Sequence, residues 1–318
     1  MSTPHILAVA QLSPLYMTHL NAHFTVLDRL HVNDPAQFAA LAPQIRAIAA
    51  SGESKVPASL MEQLPKLEII SVFGVGYDGV DVQAAKARGV MVTHTPDVLN
   101  DDVADLAIGL MLCAARQLSS SDNYVKSGMW EQKGPMPLAR KVSGSRLGIV
   151  GMGRIGQAIA KRAAAFDMSI AYTSRNARSD VTYKHYANAT DLAAASDFLV
   201  VITPGGAATK HLINATVLQA LGKKGILVNV ARGSVVDENA LIQALADGTI
   251  GGAGLDVFEA EPSVPQALRD MPHVVLSPHI GSATTQTRQA MADLAFGNLK
   301  AHFSGLAVQT PVPECTLK

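Results

Sequence analysis

An α/β architecture of two doubly wound parallel sheets is expected of this 318-residue chain, on three observations. Short apolar runs alternate with helically spaced stretches along nearly the whole length, the pattern that builds a parallel sheet covered on both faces. The length exceeds what one small core organises, so two domains are the natural division. Finally, the apolar run Leu147–Val150 leads straight into Gly151-x-Gly153-x-x-Gly156 and then into helical spacing over residues 157–166. A strand, a glycine turn and a helix in that order form a dinucleotide-binding turn.

In the first hundred residues, Ile6–Ala10, Phe24–Leu27, Ile45–Ala49, Leu67–Ser71 and Val90–Thr93 read as strands. Helices are expected between them at Pro14–Ala22, Pro35–Leu41, Pro57–Leu64 and Asp81–Ala87. Asn100, with Asp101 and Asp102 behind it, offers an N-cap and favourable first-turn charge for a long helix through Gln117. Its apolar residues go nearly all the way round, so it is expected to be buried on most faces, in a core or against a second subunit. Residues 118–145 read as polar and irregular, with Trp130 anchoring a loop. Past the glycine turn, strands at Ser169–Tyr172, Phe198–Ile202, Ile226–Val230, Gly254–Val257 and Val274–Leu276 join Leu147–Val150. Six strands suit the two mononucleotide-binding halves of a Rossmann sheet. From Thr284 the spacing is helical to His302, and a proline-containing tail follows.

Composition narrows the function classes. Lysine plus arginine and aspartate plus glutamate each number 26, so nothing draws the chain to nucleic acid or an anionic membrane. The apolar run Val103–Ala115 is interrupted by Asp105 and is too short to span a bilayer. Two cysteines, Cys113 and Cys315, make neither a disulfide framework nor a metal cluster. The N-terminus carries no basic stretch leading into an apolar run, and a cytoplasmic location is expected.

Each glycine of the turn has a separate expected task. Gly151 makes the tight turn, Gly153 lets a pyrophosphate approach the backbone, and Gly156 lets helix and strand pack closely. The helix N-terminus at Arg154 and Ile155 then faces the negative charge. An NAD site places a carboxylate near the end of the second strand to receive the ribose 2′-OH. Here the chain reads Tyr172-Thr-Ser174-Arg175-Asn176. Arg175 can fork onto a 2′-phosphate and Ser174 can add a hydroxyl, with Arg178 a less well placed second cation. NADPH is therefore the expected cofactor, with NADH weaker; the alternative is that these are solvated turn residues.

Three segments at expected strand ends carry groups suited to reducing a 2-oxo acid: residues 228–237 with Arg232, 254–262 with Glu261, and 276–284 with His279. Arg232 can hold a carboxylate and polarise a carbonyl. His279 can supply a proton near neutral pH. Glu261, meeting the imidazole, would fix the ring and favour its charged form. Taken singly, each has a duller reading: a turn histidine, a surface cation, a solvated glutamate.

These segments, with the glycine turn and the upstream Ser71-Val-Phe-Gly74-Val75-Gly76-Tyr77-Asp78, resemble the D-isomer-specific 2-hydroxyacid dehydrogenase family. Within it the similarity is greatest to glyoxylate/hydroxypyruvate reductases and hydroxyphenylpyruvate reductases. The resemblance implies a Rossmann nucleotide domain, residues 100–283, inserted into a flavodoxin-like substrate-binding domain formed by residues 1–99 and 284–318. It implies a homodimer built largely on the nucleotide domain, and substrate in an interdomain cleft. It casts Arg232, Glu261 and His279 as catalytic, and the Val75 and Gly76 amides as receptors of the substrate carboxylate. Ser51 and Gly52 would face the substrate, and Met136 falls near a position where relatives place an aromatic residue beside the neighbouring subunit's substrate. Thr203, Pro204, Val230, Ala231, Asp256 and Gly281 fall on cofactor-contact positions. Formate dehydrogenases share the fold, but a substrate that exchanges no proton has no need of His279 with Glu261. A dinucleotide-sensing corepressor related to the family is the alternative from outside enzymology.

Overall fold

The computed structural model describes residues 3–316. They divide into two units, Met1–Leu99 with Ser282–Lys318, and Asn100–Gly281.

The first unit runs β1 (His5–Ala8), α1 (Pro14–His23), β2 (Thr25–Asp28), α2 (Leu30–Asn33), α3 (Pro35–Leu41), β3 (Ile45–Ser51), α4 (Ala58–Glu62), β4 (Ile69–Phe73), α5 (Val82–Ala87) and β5 (Met91–Thr93). Its sheet is parallel in the order β2-β1-β3-β4-β5, the flavodoxin-like winding. Ile48, Ile70 and Val92 on neighbouring strands are fully buried beneath Leu60, Met61 and Leu64 of the α4 region. The four-residue α2 is absent from the expected pattern; it is a single turn with no fully buried side chain, too short to show an apolar period. The α4 helix is also shorter than the expected Pro57–Leu64, because Pro57 serves as its N-cap and the chain turns at Gln63.

The second unit runs α6 (Asn100–Arg116), α7 (Leu118–Lys126), α8 (Met129–Lys133), β6 (Arg146–Val150), α9 (Arg154–Ala164), β7 (Ser169–Thr173), β8 (Lys184–Tyr186), α10 (Ala189–Ala194), β9 (Phe198–Val201), α11 (Ala215–Leu221), β10 (Ile226–Asn229), α12 (Glu238–Ala246), β11 (Gly252–Leu255), α13 (Gln266–Asp270) and β12 (Val274–Leu276). The seven strands are parallel in the order β12-β11-β10-β9-β6-β7-β8. This is the Rossmann order with one strand added, its reversal of winding falling between β6 and β9. A final helix, α14 (Thr285–Phe303), belongs to the first unit. It packs on α1 and β4 through Met291, Ala292, Ala295 and Leu299.

Several expectations need correction. Residues 118–145 are not irregular throughout: α7 and α8 occupy much of their first half. Gln117 takes a left-handed φ of 53° and ends α6, so a separate helix begins beside it. Neither short helix buries a side chain fully, which is why no apolar period announced them. Trp130 does not anchor a loop within this chain; it is 60% exposed on α8. The second unit's sheet has seven strands rather than six, because Lys184–Tyr186 pairs along β7 as an edge strand with no apolar run. β11 starts at Gly252 and ends at Leu255, two residues ahead of the expected Gly254–Val257, in register with Ile226–Asn229. The chain leaves the sheet at Asp256.

α6 buries Val103, Ala104, Ala107, Ile108, Leu110, Met111 and Ala115 and packs against α9, β10 and β11. Asp101 and Asp105 stay on its exposed side, where Arg162 of α9 bridges both. The helix is thus an internal layer of the second unit. Among the described residues no single helix is long and apolar enough to cross a membrane.

Candidate active site

The glycine turn explains two of its three glycines by packing and leaves one over. Gly151 adopts φ 108°, and a Cβ there would lie 2.8 Å from the Ile202 carbonyl oxygen. A Cβ on Gly156 would come within 2.1 Å of the Gly151 carbonyl oxygen, so α9 approaches β6 only because that position is bare. Gly153, at the mouth of α9, has an ordinary φ of −76°, and a Cβ on it would meet no protein atom within 4 Å. Packing inside the protein therefore does not require glycine at 153. Approach by a pyrophosphate does, and no side chain caps α9 at this end. The turn fits a dinucleotide.

Six of the seven strands of this sheet, all but β8, are each followed by a candidate group at the carboxyl end, where open α/β sheets bind ligands. Ser174 and Arg175 follow β7. The Ser174 hydroxyl donates to Asn176 O within its own turn at 2.7 Å. It would have to leave that partner to donate to a phosphate. Arg175 is exposed and makes no ion pair among the described residues. Arg178 instead forks onto Asp180, with Nε–Oδ1 at 2.8 Å, which makes it the poorer phosphate ligand. Thr203 and Pro204 follow β9, the latter's carbonyl accepting from the Thr209 hydroxyl at 2.7 Å.

After β10, Val230 and Ala231 are buried, and their amides are satisfied by Val201 O and the Asn229 side chain. Asn229 is 1% exposed; its Oδ1 accepts from Ala231 N–H at 3.1 Å and its Nδ2 donates to Arg232 O at 3.0 Å. One amide side chain thus shapes the loop that presents Arg232. The half-buried Arg232 guanidinium donates to Ala231 O at 2.8 Å. Gly233 lies flat against the Phe258–Glu259 backbone, where a Cβ would be 1.9 Å from Phe258 C. The loop bearing the arginine and the loop bearing Glu261 therefore touch main chain to main chain.

His279 Nδ1 and Glu261 Oε2 are 2.7 Å apart. Because a carboxylate only accepts, Nδ1 carries the proton of the neutral imidazole. The other carboxylate oxygen of Glu261 accepts from Phe258 N–H at 2.9 Å. Burial pushes the Glu261 carboxyl up, but the His279 hydrogen bond and charge, the Phe258 amide and the Arg232 charge together hold it below the usual glutamate range. At neutral pH it is ionised.

Asp256 organises the histidine loop. It is 2% exposed, and its carboxylate accepts from Ser277 Oγ at 2.7 Å, Ile280 N–H at 2.8 Å and Gly281 N–H at 2.9 Å. Burial raises its pKa despite these donors. The Asp256 carboxylate and the Gly281 amide are therefore committed to each other, whatever either also contributes to a cofactor. Met136 lies half-buried in the segment between α8 and β6.

In the first unit, Ser51 ends β3 and its amide donates to Ser54 Oγ at 2.8 Å. Gly52 backs directly onto Gly74, whose Cβ would sit 3.1 Å from Gly52 Cα. The Ser51–Gly52 turn and the Val75–Gly76 turn after β4 are thus neighbours. The residues that sequence reasoning left without a role are Asn229, Gly233, Ser277 and His94. Asn229 alone left a signal, a polar residue inside an apolar strand run.

A guanidinium and an imidazole–carboxylate pair beside a dinucleotide turn are the equipment of a nicotinamide-linked oxidoreductase. Comparison with known proteins narrows the class. Residues 108–281 match the family description "D-isomer specific 2-hydroxyacid dehydrogenase, NAD binding domain", and the chain belongs to that family. It is 53% identical to glyoxylate/hydroxypyruvate reductase A of Arabidopsis thaliana over 84% of this chain and 85% of that protein. Hydroxyphenylpyruvate reductase of Plectranthus scutellarioides is 52% identical over 87% of this chain and 90% of its own. A crystal structure of an NADPH-dependent glyoxylate/hydroxypyruvate reductase from Sinorhizobium meliloti, in complex with NADP and malonate, superposes with a TM-score of 0.92. It is 46% identical and covers 100% of this chain and 99% of that one.

Proposed function

We propose that this chain reduces a 2-oxo acid of the glyoxylate or hydroxypyruvate type to the D-2-hydroxy acid, with NADPH preferred and NADH used less well. The observation that carries the reading is the 2.7 Å His279–Glu261 pair at the strand ends of a dinucleotide-binding sheet. The nicotinamide supplies the hydride that reaches C2. Arg232 holds the substrate and polarises its carbonyl. As the oxygen gains charge, His279 gives it the proton on Nε2, and ionised Glu261 stabilises the imidazolium form that precedes the transfer. The Val75 and Gly76 amides receive the carboxylate, with Ser51 and Gly52 bordering the substrate. Arg154 and Ile155 at the α9 N-terminus face the pyrophosphate. Arg175, with Ser174 beside it, takes the 2′-phosphate; Thr203, Pro204, Val230, Ala231, Asp256 and Gly281 line the rest of the cofactor.

The first unit is the substrate-binding domain and the second the NADP-binding domain. The enzyme acts as a homodimer in the cytoplasm. In support, Leu118, Val125, Trp130 and Leu138 of the second unit are exposed, and both cysteines are free thiols. Met136, in the same stretch, borders the neighbouring subunit's substrate. Sedimentation equilibrium at the monomer mass would refute the dimer.

The 52% identity to a hydroxyphenylpyruvate reductase favours an arylpyruvate as the second reading. Initial rates with glyoxylate, hydroxypyruvate, hydroxyphenylpyruvate and 2-ketogluconate, each with NADPH and NADH, test the proposal. The expected order puts one of the first two acids with NADPH at the top. Oxidation of neither nucleotide by any of the four would overturn it.

A further inference from the structure

We infer that His94 is a positioning residue that aims the Gly76 amide at the substrate carboxylate, and that the C-terminal tail holds it in place. The inference rests on the proposed function, in which that amide receives the carboxylate.

The Val75 carbonyl oxygen lies 2.9 Å from His94 Nδ1. A carbonyl has no proton to give, so the imidazole donates and Nδ1 is the protonated nitrogen. In a trans peptide the carbonyl oxygen and the following N–H lie in one plane and point in opposite directions. Tying Val75 C=O to His94 therefore sets the direction of Gly76 N–H. The plane needs such a tie, because it lies in a turn flanked by Gly74 and Gly76, where side chains do little to resist its rotation.

The imidazole is itself fixed. His94 is buried, and its ring meets Tyr77 edge-on, centroids 5.2 Å apart at 88°. Its main chain is gripped on both sides by Thr310: His94 N–H donates to Thr310 O at 3.2 Å, and Thr310 Oγ1 donates to His94 O at 2.6 Å. Thr310 is held in turn by Asn298 of α14, fully buried, whose Nδ2 donates to Thr310 Oγ1 at 2.8 Å and whose Oδ1 accepts Thr310 N–H at 3.0 Å. Tyr77 donates its hydroxyl to Glu314 at 3.2 Å. Burial, with the Glu314 charge and hydrogen bond, pushes that phenol up to about 12, so it remains a donor at neutral pH. Residues 310–314 thus brace both the imidazole and the ring packed on it.

His94→Leu, which keeps apolar bulk and removes the donor, should raise KM for hydroxypyruvate about tenfold, the scale of one hydrogen bond. Its kcat and KM for NADPH should stay within about twofold of wild type. His94→Asn places an amide N–H where Nδ1 sits and should return KM most of the way. If His94→Leu does not fold, His94→Gln carries the test, since its amide lies one bond farther out and the same rise in KM is expected. An unchanged KM in the donor-less variant overturns the inference. So does a joint loss of kcat and NADPH affinity that Asn fails to rescue, which would make His94 a packing residue. Wild-type turnover of hydroxypyruvate in the same assay tests the functional reading separately; its absence would overturn both.

Discussion

His279 sits at φ 52°, in the left-handed region that costs a residue other than glycine about 1–3 kcal/mol unless its surroundings impose it. Here they do. The His279 amide donates to Asp256 O at 2.9 Å, and the next two amides both donate to the Asp256 carboxylate. The backbone turn is fixed before the imidazole meets Glu261, so the ring arrives in one orientation and one tautomer. His279→Ala should lower kcat by about 10²–10⁴-fold, as expected for loss of a general acid. Steady-state rates near wild type in that variant would remove His279 from the mechanism. Arg175 is exposed and makes no ion pair among the described residues, so its replacement breaks no ion pair among them. Arg175→Ala should raise KM for NADPH by tenfold or more, on the scale of a charge-assisted contact of about 1.5–3 kcal/mol, and leave KM for NADH nearly unchanged. Equal effects on the two nucleotides would show that Arg175 does not read the 2′-phosphate.

At the scale of elements, the glycine turn separates what packing demands from what a ligand demands. Gly156→Ala places a Cβ 2.1 Å from the Gly151 carbonyl oxygen, and α9 must retreat from β6 at a cost of about 1–3 kcal/mol, typical of overpacking. Gly153→Ala meets no protein atom within 4 Å and should unfold at the wild-type denaturant midpoint while binding NADPH at least tenfold more weakly. Denaturant midpoints and fluorescence titration of the two variants, taken together, check the division. The reverse outcome, destabilisation by Gly153→Ala with binding intact, would mean that the turn serves only the fold. The same scale shows why some elements were legible and others were not. A buried central strand such as β9 is a continuous apolar run, the pattern of a parallel strand covered on both faces. α7 is carried by polar contacts, among them Lys126 with Asp122 at 2.7 Å, and β8 by pairing to one neighbour. Neither leaves a hydrophobic period to read.

At the scale of the whole molecule, chain order and unit membership differ. α14 follows the nucleotide unit in sequence yet completes the first unit. There Ser71 of β4 donates to Ala295 O at 3.0 Å across 224 residues of chain. Residues 100–281, produced alone, should fold cooperatively around their seven-stranded sheet and retain NADPH binding. Residues 1–99 alone should not, since Met291, Ala292, Ala295 and Leu299, all buried, are then missing from the face of β4. Circular dichroism melts and nucleotide titration of the two fragments check this. A cooperative transition in residues 1–99 would show that α14 is dispensable to that core.

The amino-acid sequence by itself determined the buried strands, the long helices between them, the glycine turn and the identity of the groups that follow the strand ends, but not α2, α7, α8 or β8. Those features follow from local apolar period and from the few residue types that suit a given turn or proton transfer. Tertiary structure alone decided which atoms meet: Nδ1 of His279 on Glu261 across 18 residues, Asp256 around the histidine loop, and Thr310 on His94 across 216. Contacts of that kind depend on loop conformations set by packing from distant parts of the chain, and no local pattern encodes them.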